Sequence, residues 1–301
     1  MDNPKKGAST MKRSKFIPYL FIAPLLLTFI VFFLIPAVMG IYVSFTSWNL
    51  FESPRWVGFD NYYEILFNRD STFFRQFQNG FWNTFEFVIY SVPPIIILPL
   101  FMALALNSKI KGYKFFQSIF YAPSLLSISA VVLAWQTLFL RRDGLINNFL
   151  GLDVNWFGEQ PFTWMAIVII TVWWVIGPNL VIYLSALSNV SPDLLEAASI
   201  DGANSIQKFL YVTLSQIKNP LAYTVVLSTI AQFNIFGQPL MFSNGGPFDS
   251  TFVLIMYIRQ LAFGMGQSQA GLASAMAVML GLCILIISAI QYFLMTREKK
   301  V

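Results

Sequence analysis

Hydrophobic residues in this chain come in long unbroken blocks, and charged residues fall between them. Six stretches carry no charge at all: 16–51, 87–108, 115–140, 160–192, 219–248 and 260–296. Each is at least as long as the ~20 residues an α-helix needs to cross the hydrocarbon core of a bilayer. A backbone in lipid has no water to bond, so such blocks fold as helices. The apolar/polar alternation of a membrane barrel strand is absent. The pattern therefore predicts an all-α integral membrane protein with six transmembrane helices. The longer blocks leave room for tilt or interfacial pieces, and no repeat of fixed period is visible.

Composition strengthens this picture. Of 301 residues, 56% are hydrophobic and 11% charged, against roughly 25% charged in soluble domains. Too few polar groups are present to cover a soluble surface. The net charge of +5 is not gathered into an aromatic-interleaved basic patch, so nucleic acid is not an expected partner. Histidine is absent and Cys283 is the single cysteine. That removes disulfides, Cys/His metal sites and histidine acid–base chemistry. No GxxxxGK[ST] phosphate loop occurs, so the chain does not hold ATP in that way. No catalytic residue, metal ligand or cofactor of its own is expected.

Lysine and arginine orient the chain. With the N-terminus inside, the inner segments hold thirteen of them, from Lys5 through Lys109, Lys114, Lys208 and Lys218 to Lys300. The outer segments hold six: Arg55, Arg69, Arg75, Arg141, Arg142 and Arg259. Both termini are then cytoplasmic. The expected organisation is a basic N-terminus at 1–15, a six-helix domain at 16–296 with a cytoplasmic loop at 191–219, and a cytoplasmic C-terminus at 297–301. The first apolar block exceeds a 7–15-residue signal-peptide core and lacks a clean cleavage site, so it reads as a retained signal anchor. Outer segments at 47–80 and 141–161 are too small for separate domains, and Trp48, Trp56, Tyr62 and Tyr63 suit a membrane surface.

One polar interruption stands out: "SPDLLEAASIDGANSIQKFLYVTLSQIKNP" at 191–220. Ser191 suits an N-cap, Pro192 the first helical position, and Asp193 the positive end of the helix dipole. Asp201-Gly202 reads as a helix stop, and Asn204 or Ser205 caps a second helix. Small Ala197, Ala198, Gly202 and Ala203 permit close approach by another protein, and Glu196 and Asp201 offer it anionic contacts. An ordinary solvated helical loop is the plainer reading of the same residues.

"EAASIDGANSIQKFLYVTL" resembles the signature of the membrane subunits of ABC importers, matched at Glu196, Ala197, Ala198, Asp201, Gly202, Ala203 and Phe209. Ser215 stands where that family usually has a proline, while Pro220 is kept. The resemblance implies a type I importer permease fold and a coupling helix lodged in an ATPase subunit, with Glu196 and Gly202 at the joint. ATP and Mg would be bound by two partner ATPase subunits. "WVGFDNYYEILF" at 56–67, "NTFEF" at 83–87 and "FNIFGQPLMFSNGGP" at 233–247 resemble the carbohydrate branch, in particular compact six-span members of the maltose-transport inner-membrane family. Asn244, Gly245, Gly246 and Pro247 form a strong turn in their own right. The resemblance adds a second, homologous permease, an extracytoplasmic solute-binding protein and a sugar substrate.

A sugar path needs hydrogen-bonding groups and apolar faces, and polar groups within spans usually face an interior or a cavity. Ser228, Gln232 and Ile235 follow at i, i+4 and i+7, with Ala231 at i+3, so helical spacing places them on one face. The resemblance assigns that face to sugar, and likewise Thr171 and Trp174 of the fourth span. Two readings of Gln232 stand: a substrate contact, or a helix–helix hydrogen bond. Trp173 and Trp174 equally suit packing, and Arg259 suits solvent. Gly177-Pro178 suggests a kink or unwinding, and the small residues of 270–281 close helix packing. An ion-coupled carrier would call for charge inside a span, which the blocks lack. Glycerol phosphate or a polyamine remains the alternative solute.

Overall fold

The computed structural model describes residues 17–109, 111–264 and 268–296. The basic N-terminus at 1–15 and the C-terminus at 297–301 lie outside the described residues. Helix α1 (Ile17–Phe29) passes through a π turn at Ile30–Leu34 into α2 (Ile35–Ser44). Pro36 cannot donate to the carbonyl of Phe32, and the Ile35 amide reaches back to Ile30 instead. This rod exposes apolar side chains on all sides, as lipid allows.

A short antiparallel hairpin, β1 (Thr46–Ser47) with β2 (Arg55–Trp56), follows it. Then come α3 (Asp60–Leu66) and α4 (Thr72–Asn107). The Asn61 side-chain amide donates to the Ser44 and Thr46 carbonyls at 2.8 and 2.9 Å. Tyr62 and Ser44 hydroxyls meet at 2.7 Å. The aromatic-rich "WVGFDNYY" segment thus ties the hairpin to α2 through buried hydrogen bonds. At 1.5 Å per residue α4 is about 54 Å long, well beyond a hydrocarbon core of ~30 Å. Its first turns must project from the membrane.

Helix α5 (Tyr113–Tyr121) leads through a 3-10 turn at Ala122–Leu125 into α6 (Ile128–Leu138), followed by α7 (Leu145–Leu150) and the long α8 (Phe162–Ser188). Next are α9 (Pro192–Ile200), α10 (Ser205–Gln207), a π turn at Lys208–Thr213 and α11 (Leu214–Gln216). Helices α12 (Lys218–Phe233), α13 (Gly237–Ser243), α14 (Leu254–Phe263) and α15 (Ala270–Thr296) complete the chain.

Among the described residues four helices are long and apolar enough to cross a membrane: Tyr19–Ser44, Thr72–Asn107, Phe162–Ser188 and Ala270–Met295. The count reaches six if each of two bent pairs is one span. The blocks at 115–140 and 219–248, each expected as one spanning helix, are instead broken into two helical pieces. In the first, α5 with its 3-10 turn meets α6 at 104°. Pro123 opens the 3-10 turn, Leu126 is extended, and Ser127 caps α6 by accepting from the Ala130 amide. In the second, α12 and α13 meet at 45°. Pro239 would leave the Ile235 carbonyl without a donor in a continuous helix, and the break at 234–236 removes that conflict.

Three buried clusters run along the bundle. One holds Phe87, Trp164, Ile167, Phe139 and Ile235. A second joins Ile65, Phe77, Leu254 and Met276. The third, at the 191–219 end, joins Leu100, Ala103, Tyr183, Leu187 and Ile217. Ala273 and Ala275, in the small-residue stretch of α15, are buried within this chain.

Helix α8 stays helical through Gly177-Pro178, so the expected unwinding does not occur. Gly177 serves close packing instead: a Cβ there would lie 2.7 Å from Tyr121 Cα and 2.8 Å from the Phe120 carbonyl oxygen. Backbone cannot yield as a side-chain tip can. Gly177→Ala is expected to cost roughly 1–3 kcal/mol, the range for overpacking, read as earlier thermal unfolding of the purified protein in detergent.

Candidate functional site

The 191–219 segment forms the expected helix–turn–helix. Pro192 occupies the start of α9, with Ser191 extended before it; Ser191 makes no side-chain cap bond. Gly202 sits at φ +81 just past the helix. The Gly202 amide bonds the Ser199 carbonyl at 3.1 Å and the Ala203 amide bonds Ala198 at 2.9 Å. This pair of reversed bonds closes the helix end as a Schellman motif. Asn204, rather than Ser205, caps α10 in a reciprocal capping box with Gln207. Lys208 Nζ reaches Ser199 Oγ at 2.9 Å and ties the second helix to the first. Phe209 anchors the segment against the third core cluster.

Glu196, Ala197, Asp201 and Gly202 are exposed, and Ala198 and Ala203 are half-buried. Apolar side chains flank them: Ile200 is 87% exposed, Ile206 69% and Tyr211 76%. A solvated loop rarely carries this much bare apolar surface beside its charges, whereas a protein-docking surface does. The Ser215 departure is accommodated because α12 starts afresh at Lys218 after a break at Ile217, with Pro220 in the first turn, where no amide donor is needed.

The six residues assigned to the sugar path are not brought to one surface. Ser228, Gln232 and Ile235 are buried, while Ala231 is exposed on the α12 face that carries Tyr223 and Leu227. Helix α12 ends at Phe233, so Ile235 lies beyond it and the i+7 spacing does not apply. Thr171 is buried and bonds back to the Ile167 carbonyl at 2.8 Å. Trp174 is half-buried and donates to the Leu126 carbonyl at 3.1 Å, covering the break before α6. Trp173 packs edge-on against Trp135. Arg259 is exposed and lies 5.8 Å from the Phe236 ring centre.

Asn179 is the residue the sequence reading passed over. Pro99 lacks the amide that would bond the Ile95 carbonyl, and Asn179 Nδ2 donates to that carbonyl at 3.1 Å and to Ser228 Oγ at 3.2 Å. One amide thereby links α4, α8 and α12. A proline in α4 four residues after an apolar carbonyl, with an asparagine in a neighbouring span, was the available signal. Asn179→Leu is expected to remove about 1–2 kcal/mol of helix association, measured as a lower unfolding midpoint in detergent.

At the opposite end of the bundle, Asn244 (φ 49) and Gly245 (φ 86) turn the chain after α13, and Phe248 (φ 51) and Asp249 (φ 56) also sit in the left-handed region. Asn83 Nδ2 donates to the Asp249 and Phe252 carbonyls at 2.8 and 3.1 Å. Asn79 Nδ2 donates to the Asp249 carbonyl at 3.0 Å and the Tyr257 hydroxyl at 3.1 Å. Thr251 bonds Gly246 and Ser243, so Gly246 and Pro247 lie inside a closed turn. Burial pushes the Tyr257 hydroxyl above its ordinary value. The "NTFEF" stretch therefore begins with the residue that clamps the segment just after the "NGGP" turn.

Residues 71–300 match the family described as "Binding-protein-dependent transport system inner membrane component". The probable ABC transporter permease protein YesP of Bacillus subtilis is 35% identical over 299 residues, covering 93% of this chain and 94% of that one. The arabinooligosaccharides transport system permease protein AraP of Halalkalibacterium halodurans is 32% identical over 296 residues, covering 95% and 90%. In the crystal structure of a bacterial alginate ABC transporter in complex with an alginate pentasaccharide-bound periplasmic protein, one chain superposes with a TM-score of 0.79 at 22% identity, over 95% of this chain and 96% of that one. That likeness gives the fold.

Proposed function

The chain belongs to the binding-protein-dependent transport system inner membrane component family, and from that membership we propose that it is a permease subunit of an ATP-driven importer of a sugar or oligosaccharide. It is a transport component of a membrane, not an enzyme. Its sugar class is supported by the likeness to AraP, an arabinooligosaccharides transport permease, and by the alginate-importer fold likeness. The observation that carries the mechanism is the rigid, exposed helix–turn–helix at 191–219.

In this reading each bent pair completes a span, giving six, with both termini in the cytoplasm. A second homologous permease forms the other half of the pathway. Two ATPase subunits hold ATP and Mg and grip the segment around Glu196, Ala197, Ala198, Asp201, Gly202 and Ala203. A solute-binding protein delivers sugar at the opposite face. Closure of the ATPases pushes on α9, and Phe209 and Lys208 pass that push to the bundle. The cavity then alternates between inward- and outward-facing states. Thr171, Trp174, Ser228, Ala231, Gln232 and Ile235 line or support the path. Ala231 is the member already on an exposed face, where the partner permease would meet it.

Reconstitution with the partner permease, ATPase and binding protein tests this. Vesicles should accumulate labelled oligosaccharide only with ATP and all components. Accumulation that persists without the ATPase subunits would overturn the proposal.

A further inference from the structure

We propose that the cleft between the projecting end of α4, the 244–252 turn and α14 is a second saccharide site, outside the transmembrane path, that takes neutral oligosaccharide. The proposal rests on the importer reading above. The cleft measures about 550 Å³, within the ~300–1,000 Å³ usual for small-molecule sites.

Its chemistry suits a polyol. Gln76 lines the cleft, its Oε1 has no hydrogen-bond partner among the described residues, and a buried acceptor calls for a donor. A sugar hydroxyl supplies one. Tyr257 accepts from Asn79, so its own proton is free to donate into the cleft it lines. Arg75 and Asp249 line the cleft as well, and among the described residues they form no ion pair with each other. One offers a donor fork and the other two acceptor oxygens, and together they carry no net charge. That balance suits a neutral sugar better than an anionic one. Phe248 is fully exposed at the rim, and its ring offers a face for sugar C–H groups.

The backbone supports the assignment. Phe248 and Asp249 are both left-handed, a conformation that Asp adopts more readily than most residues but that costs Phe248 roughly 1–2 kcal/mol. Asn79 and Asn83 hold it in place. Such strain, kept by dedicated hydrogen bonds at a rim, marks a position fixed for recognition.

The test uses the assembled complex of both permeases and ATPases in nanodiscs, without the binding protein. The probe is the saccharide that the wild-type system takes up in vesicles, tested beside a uronate oligosaccharide of equal length. Saturation-transfer NMR reads binding. The neutral probe should bind, and Phe248→Asn, which tolerates the left-handed backbone, and Gln76→Leu should each weaken it at least tenfold. Both variants should still insert and still hydrolyse ATP. No wild-type binding, unchanged affinity in both variants, or preferred uronate binding would each overturn the proposal. With the binding protein then added to the same nanodiscs, a loss of its ATPase stimulation in the variants with saccharide affinity unchanged would also overturn the proposal and make the cleft a protein-docking surface. Absence of any wild-type uptake would instead strike the importer reading itself.

Discussion

Gly202→Asp abolishes uptake while the subunit still inserts and assembles: this is the expected result, and the geometry says why. At φ +81 most side chains would be strained, but Asp and Asn visit this region far more readily than other residues. A Cβ at Gly202 meets nothing within 4 Å in this chain. The helix end, with its amide bonds from Gly202 and Ala203, should therefore survive. What the substitution changes is the surface offered to a partner, by adding bulk and a negative charge at the tip of the turn. Glu196→Lys acts on the same surface from α9 by reversing an exposed charge. Both variants are expected to fall to background uptake, with membrane levels within about twofold of wild type. Gly202→Asn separates charge from bulk, and partial uptake there would assign the defect to charge. Full uptake in both Gly202→Asp and Glu196→Lys would remove the segment from energy coupling. Mixing such variants with wild-type ATPase subunits and measuring co-purification locates the break.

The second large effect is expected at the α4 face that seats the 249–254 segment. A Cβ on Gly80 would lie 2.8 Å from Leu254 Cα and 2.7 Å from the Tyr257 ring. One turn on, Asn83 donates to two carbonyls, and Thr84 Oγ1 accepts from the Leu254 amide at 3.0 Å. Gly80→Val drives a branched side chain into the Leu254 backbone. Asn83→Leu leaves the Phe252 carbonyl without its side-chain donor, at about 1–3 kcal/mol if it stays dry. The Asp249 carbonyl keeps Asn79 but loses one of its two side-chain donors, so the left-handed residues 248 and 249 are held less firmly. We expect Gly80→Val to prevent recovery of folded protein. We expect Asn83→Leu to lower the unfolding midpoint by several degrees and expose the turn to protease. An unchanged midpoint and unchanged cleavage in Asn83→Leu would show that the turn holds itself.

How much of this was readable in advance differs from element to element. Charge-free blocks announce helices because lipid forbids an unpaired backbone, and that rule is local. The helix–turn–helix at 191–219 was legible for the same reason. Pro192, Gly202 and Asn204 act through their own backbone geometry, and they stand where a short-range reading puts them. The breaks in the blocks at 115–140 and 219–248 were less visible. Pro123 and Pro239 were in view, yet proline is tolerated within α4 at three places and within α8 at one. Whether a proline bends a helix depends on whether a neighbour satisfies the freed carbonyl. Asn179 does so for Ile95; no sequence pattern says which neighbour will.

That the residues proposed for the sugar path do not share one surface in this chain has a related reason. Periodicity located Ser228, Gln232 and Ile235 relative to one another, on the assumption of a helix that in fact stops at Phe233. It could not say which face of α12 meets the rest of the chain. Ser228 was assigned to sugar by the family resemblance of its helix face; in the structure its hydroxyl accepts from Asn179, 49 residues away.

Sequence by itself determined the membrane class, the helical blocks, the helix–turn–helix at 191–219 and the absence of histidine and of a phosphate loop. These depend on composition and on interactions spanning a few residues. Tertiary structure alone decided which spans are bent, which polar groups are spent on holding helices together, and how Asn79 and Asn83 lock a turn some 170 residues further on. Those outcomes depend on which distant groups share a desolvated space, and that is fixed only when the helices pack.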